Sequence, residues 1–384
     1  MKPFRFLLLL FVGTILPVSG QETYPIDGLR HETPSIHAFV NGVIVVKPGQ
    51  TLAKDAVLLI RDGKVEAVGA GVSIPPDAVV HDLKGLWIYP GLIDPFSDFG
   101  SKPQNTETSK RPRPTTLAWN PAVSPEFRMS ENLEFNAKKA AELRSLGFTT
   151  VHARSSDGIF RGTGTVITLG EKTQAEETLV ADATVNLSFD KGSSSEPYPS
   201  SLMGAIALMR QTFLDAAWYR QASVRKAAME PNLSLEALNS QLDKKLPILF
   251  EVANTQDVFR TAVIGKEFGF RAVIKGGGRE YERAKEIKQL GATLILPLDY
   301  PMAIDLSNPD DAVDVSLREL RHWELAPTNA VVLSNEKIPI AFTTSGLKDL
   351  KVFWKNIQKS MSFGLTSDQA LEALTTTPAR ILGI

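Results

Sequence analysis

The strongest constraint on this chain is an alternation of short, unbroken apolar runs with segments of helical spacing. Residues 246–252, 271–274, 293–296 and 339–344 are such runs, and residues 255–268, 280–290 and 346–362 carry the helical period between and after them. A strand that is apolar on both faces must be covered on both, which is what helices connecting parallel strands do. The repeat starts earlier. Leu133, Ala137, Ala140, Ala141 and Leu143 recur at helical spacing over residues 132–146, Gly147 ends that helix, and residues 148–152 follow as a strand. Residues 201–229 predict a further helix, and Thr366 with Gln369 three places on predicts a capping box for a short helix near the end. The expectation is an α/β fold closed as a TIM-type (β/α)8 barrel; a doubly wound open sheet would give a similar string.

Ahead of the barrel, residues 37–88 alternate with a period of two. Asp62-Gly63 stands between two β-rich runs, the pair best suited to a two-residue hairpin in which both central residues take positive φ. A small N-terminal antiparallel β-sheet domain, a composite sandwich, is expected over residues 21–87, with the barrel over 88–384. Residues 101–128 are rich in Pro, Lys, Arg, Thr and Asn and predict a long exposed loop inserted over the barrel mouth.

Residues 1–20 are of another kind. Lys2 and Arg5 precede an apolar run over residues 6–12, and small residues follow at 17–20. This predicts a cleaved signal peptide and a secreted or periplasmic protein, because the run is shorter than the ~20 residues of a spanning helix. No membrane span is expected elsewhere. Cysteine is absent, which excludes disulfides, thiolate ligands and thiol nucleophiles. A net charge of -1 gives no field that would draw nucleic acid.

Three motifs carry a resemblance: Pro90-Gly91-Leu92-Ile93-Asp94 after the sheet domain, Gly147-Phe148-Thr149-Thr150-Val151, and Thr377-Pro378-Ala379 near the end. From about Ile36 to Ile384 the chain resembles the amidohydrolase superfamily, in particular its imidazolonepropionase-like and dipeptidase-like members. The resemblance implies a barrel that hydrolyses C–N bonds of cyclic amides, amidines or short peptides, using divalent metal to make hydroxide at neutral pH. In that family Pro-Gly-Leu-Ile-Asp leads into a His-x-His pair. Here Phe96 and Asp98 hold the two places, Glu251 and Gly276 fall where two further histidines are expected, and Ser345 falls where an aspartate acts as base. A phenyl ring and a glycine offer no lone pair to a metal. Of five histidines (His31, His37, His81, His152 and His322), only His152 sits at the end of a barrel strand.

These positions imply a degenerate metal site with no catalytic residue and no cofactor. Asp98, Glu251 and His152 are the candidates for a remodelled, carboxylate-rich site that would hold zinc or another divalent metal. Two glycine-rich stretches, 157–164 and 276–278, lack the spacing of nucleotide loops and read as tight turns or close backbone approaches; the triple glycine would also let backbone amides reach a small anion. The favoured expectation is a catalytically degenerate domain that scaffolds or regulates an active amidohydrolase domain or subunit, the chain being the N-terminal half of a tandem protein whose returning sheet strands are missing. Two alternatives stay open: an active amidohydrolase with the remodelled site, and a periplasmic module that binds a small-molecule ligand.

Overall fold

Strand Ile248–Glu251 shows why the apolar runs are unbroken. Ile248 and Phe250 join one buried cluster while Leu249, between them, joins another. Successive side chains of a strand point to opposite faces, so both faces of this sheet are covered. In the computed structural model, residues 36–52, 55–101, 113–225, 230–303 and 315–384 are described. The expected signal peptide and His31 lie outside them. Among the described residues no helix is long and apolar enough to cross a membrane.

The chain forms two units, residues 1–43 with 52–87, and residues 44–51 with 88–384. The first holds β1 (Ile36–Val40), β4 (Ala56–Arg61), β5 (Lys64–Ala70) and β6 (Val79–Asp82) in the order β5-β4-β1-β6. The short strands β2 (Val43–Lys47), β3 (Gln50–Leu52) and β7 (Trp87–Ile88) fall where the chain passes between the units. The hairpin between β4 and β5 turns at Asp62 and Gly63, with φ of 50° and 74°, as the dipeptide predicts. Most of the sheet is antiparallel, but β1 pairs β6 in parallel.

The second unit is a TIM-type barrel. Its strands are β8 (Leu92–Ser97), β9 (Phe148–Ala153), β10 (Phe160–Thr168), β11 (Thr178–Ser188), β12 (Ile248–Glu251), β13 (Ala272–Lys275), β14 (Thr293–Pro297) and β15 (Ile340–Thr343), neighbours in chain order. Leu92, Phe148, Phe250, Ile274, Leu294 and Phe342 pack outward in the larger cluster. Phe96, Val166, Ala183, Leu249, Ile295 and Ala341 fill the interior with Ile381 and Leu382 of the last helix, Thr376–Leu382. Fully burying one such Leu or Phe is worth about 1.5–3 kcal/mol.

Five expectations are corrected. Strand β10 runs antiparallel to both β9 and β11, because residues 154–159 are too few to form the crossover that a parallel neighbour requires. The stretch 157–164, read as a turn, supplies the first half of β10. There Gly164 is needed because a Cβ would stand 2.1 Å from His152 Nε2. The helix expected over 346–362 begins with a 3-10 turn at Leu350–Val352 and is regular only over Phe353–Ser362, and that over 132–146 is regular only over Ala137–Ser145. The segment expected as an exposed loop is described only outside 102–112, and there Asn120, Ala122 and Val123 are buried, with Val123 and Arg128 bridging to β10. Helix Thr255–Phe268 and the Thr366–Gln369 capping box form as the sequence predicts.

Candidate functional site at the barrel mouth

Strand alternation decides which residues face the inside at the C-terminal ends of the strands. Glu251 follows Leu249 by two on β12, Lys275 follows Val273 by two on β13, and the two are register partners. Arg154 follows His152 by two where β9 ends. Arg161, the second residue of β10, completes the set. The Arg161 Nη1 donates to Glu251 Oε2 at 2.5 Å, Lys275 Nζ lies 3.3 Å from Oε1, and Arg154 Nη2 stands 4.0 Å from Oε2. Both arginine side chains are 3% exposed, whereas Glu251 keeps 24%, so the cations are deeper than the carboxylate they share.

Burial alone would raise the Glu251 carboxyl, but the charges of Arg154, Arg161 and Lys275 override it and hold it at about 2. Arg154 is pulled down to about 10 by burial, against the attraction of Glu251. Its guanidinium lies over the Phe96 ring, 3.6 Å from the centroid. Its Nη1 donates to Ser155 O at 3.0 Å, while its buried Nε has no hydrogen-bond partner.

His152 is fully buried and fully used. Its Nδ1–H donates to the carbonyl of Pro95 at 3.0 Å, so Nε2 is left to accept from the Thr184 hydroxyl at 2.7 Å. Burial first, then the neighbouring Arg154 charge, lowers its pKa to about 3. It is a neutral pillar between β8 and β11, not a group open to a ligand.

The remaining positions diverge. Asp98 is exposed and lines a cavity of about 840 Å³ with Glu134, Asn136 and Lys139, whereas Glu251 lines another of about 660 Å³. At Gly276 a Cβ would meet Glu280 Oε1 at 2.3 Å. That carboxylate is buried and accepts from the amides of Gly277 at 2.8 Å and Gly278 at 3.2 Å and from Asn329 Nδ2 at 2.7 Å. The triple glycine thus does cradle an anion, and the anion is the chain's own. Ser345 donates its amide to Thr343 Oγ1. Away from the barrel interior, His37 Nδ1 and His81 Nε2 lie 3.0 Å apart in the small unit, and His322 Nδ1 is 3.2 Å from the Tyr281 hydroxyl.

Among the described residues no group of three or more His, Asp or Glu side chains converges as metal ligands would. The residues present do not fit a metal: two guanidiniums and an ammonium face the Glu251 carboxylate, and the buried Asp94 carboxylate is taken up by Thr343 and Thr344. Sequence reasoning named Glu251 but missed Arg154 and Arg161 as its partners. The two-residue step from His152 to Arg154 was the available signal for the first; the second sat in a stretch read as a turn.

No protein-family model matches the chain. Over 124 residues it is 29% identical to an imidazolonepropionase of Deinococcus radiodurans, and over 59 residues 37% identical to a dihydroorotase of Geotalea daltonii. These matches take in 28% and 15% of this chain and span only 30% and 14% of the relatives' own lengths. Its fold superposes on the crystal structure of an amidohydrolase from Thermotoga maritima with a TM-score of 0.70 at 23% identity, over 90% of this chain and 88% of that one. The motifs, the segment matches and the fold agree in one direction: the chain resembles the amidohydrolase superfamily and shares its barrel fold.

Proposed function

We propose that this barrel is a hydrolytically silent member of its superfamily that works without metal and scaffolds or regulates an active amidohydrolase partner. One observation carries the reading: the Arg154 guanidinium lies over Phe96 and beside Glu251, at the strand ends where the relatives' ligands are expected. A divalent ion there would face three fixed cations, and the Glu251 carboxylate is already shared among them. The charged-then-apolar run of residues 2–12 supports export, so the partner would share that compartment.

The test is elemental analysis of the purified protein, before and after incubation with zinc, with hydrolysis assays on dipeptides and cyclic amides. The expected outcome is no stoichiometric metal, and no hydrolysis that a chelator abolishes, in the wild type and in Phe96→His alike. Stoichiometric zinc together with chelator-sensitive turnover overturns the reading.

A further inference from the structure

We infer that the cavity beside Glu251 is a binding site for a small monocarboxylate, held by Lys275 and Arg161. This rests on the reading that no metal sits beside Glu251. The cavity is about 660 Å³, large enough for a ligand rather than a single water. Its lining includes Arg161, Lys275, Glu251 and Ser188 together with the apolar Phe189 and Leu202.

Charge counting gives the ligand's sign. Three cations act on Glu251, and of these Arg154 is also acted on by Asp98. That leaves Arg161 and Lys275 to share one carboxylate. Two further acids line the cavity, but both are engaged: Asp257 accepts from Arg260 at 2.7 Å and from Asn254 at 2.9 Å, and Asp190 accepts the Gly192 amide at 2.9 Å. At contact distance Arg161 and Lys275 share one carboxylate, and a single anion seated between them would pair with the second cation.

Donor counting gives the group. Among the described residues, Lys275 Nζ pairs with Glu251 Oε1 at 3.3 Å, and Arg161 uses Nε on Gly158 O and Nη1 on Glu251, leaving Nη2. An ammonium and one arm of a guanidinium suit the two oxygens of a carboxylate. The apolar wall accommodates a hydrocarbon body attached to it.

Titration calorimetry in the presence of EDTA tests this, with sodium hexanoate as the probe and sodium phosphate and hexylammonium chloride at matched ionic strength as controls. Saturable binding of hexanoate is expected, weakened about tenfold or more by Lys275→Met and retained in Lys275→Arg. Glu251→Gln removes the competing carboxylate, so hexanoate should bind it more tightly and raise its melting temperature more than that of the wild type. This second arm stands even if Lys275→Met fails to fold. Absence of saturable binding, equal response to phosphate or hexylammonium, or weaker binding by Glu251→Gln overturns the inference. Because chelator is present throughout, its failure is separate from any finding of zinc-dependent hydrolysis.

Discussion

Arg154 stacks on Phe96, its guanidinium carbon 3.6 Å from the ring centroid, and its Nη2 stands 4.0 Å from Glu251 Oε2. A cation over a desolvated ring gains about 2 kcal/mol, which offsets part of the cost of burying it. The phenyl ring is therefore the seat of a buried cation.

Adding a side chain at Gly276 should destabilise the protein although the backbone there is unstrained. A Cβ would stand 2.3 Å from Glu280 Oε1, and that carboxylate is pinned by two glycine amides and Asn329. Gly276→Ala should cost about 1–3 kcal/mol in urea unfolding, and Gly276→His more. An alanine variant as stable as the wild type would show that Glu280 moves aside freely.

Acid should weaken the fold from an unusually high pH. The His152 imidazole titrates near 6.5 when unfolded and near 3 when folded, so across that window the unfolded chain binds the extra proton. Stability then falls as pH drops, by up to about 1.4 kcal/mol per unit. His322, also held low by burial, adds in the same direction, and Glu251, held at about 2, adds its loss only below about 4.5. Unfolding free energies measured between pH 6.5 and 5 should flatten in His152→Gln; an unchanged slope would remove His152 as the cause.

Asp94 should behave as a neutral acid. The Thr343 hydroxyl lies 2.7 Å from both Asp94 Oδ1 and Phe96 O and accepts the Ser345 amide. One hydroxyl proton cannot serve two acceptors, and a proton on Asp94 completes the set. Burial raises the Asp94 pKa, opposed by its hydrogen bonds to Thr344, Thr343 and Phe96. Asp94→Asn should lose less than about 1 kcal/mol, and Asp94→Ala about 2–4 kcal/mol, because the latter strips partners from several buried groups. Equal losses in the two variants would mean the group is ionised.

The sequence by itself determined the parts governed by near neighbours. The Asp62-Gly63 hairpin, the Thr366 cap, helix Thr255–Phe268 and the two-faced apolar strands each depend on residues a few positions apart. Loop length also held the reversal of β10, though periodicity alone did not reveal it. Tertiary structure decided the site. Asp94 and Thr343 meet across 249 positions at the join between β8 and β15, and Arg161 and Glu251 meet across 90. Which cation reaches which carboxylate depends on where the strands of a closed barrel stand, and no local spacing encodes that. That the Pro90–Asp94 motif is followed by Phe96 rather than histidine could be seen in the chain; that Arg154 lies over that ring and beside Glu251 could be seen only in the folded barrel.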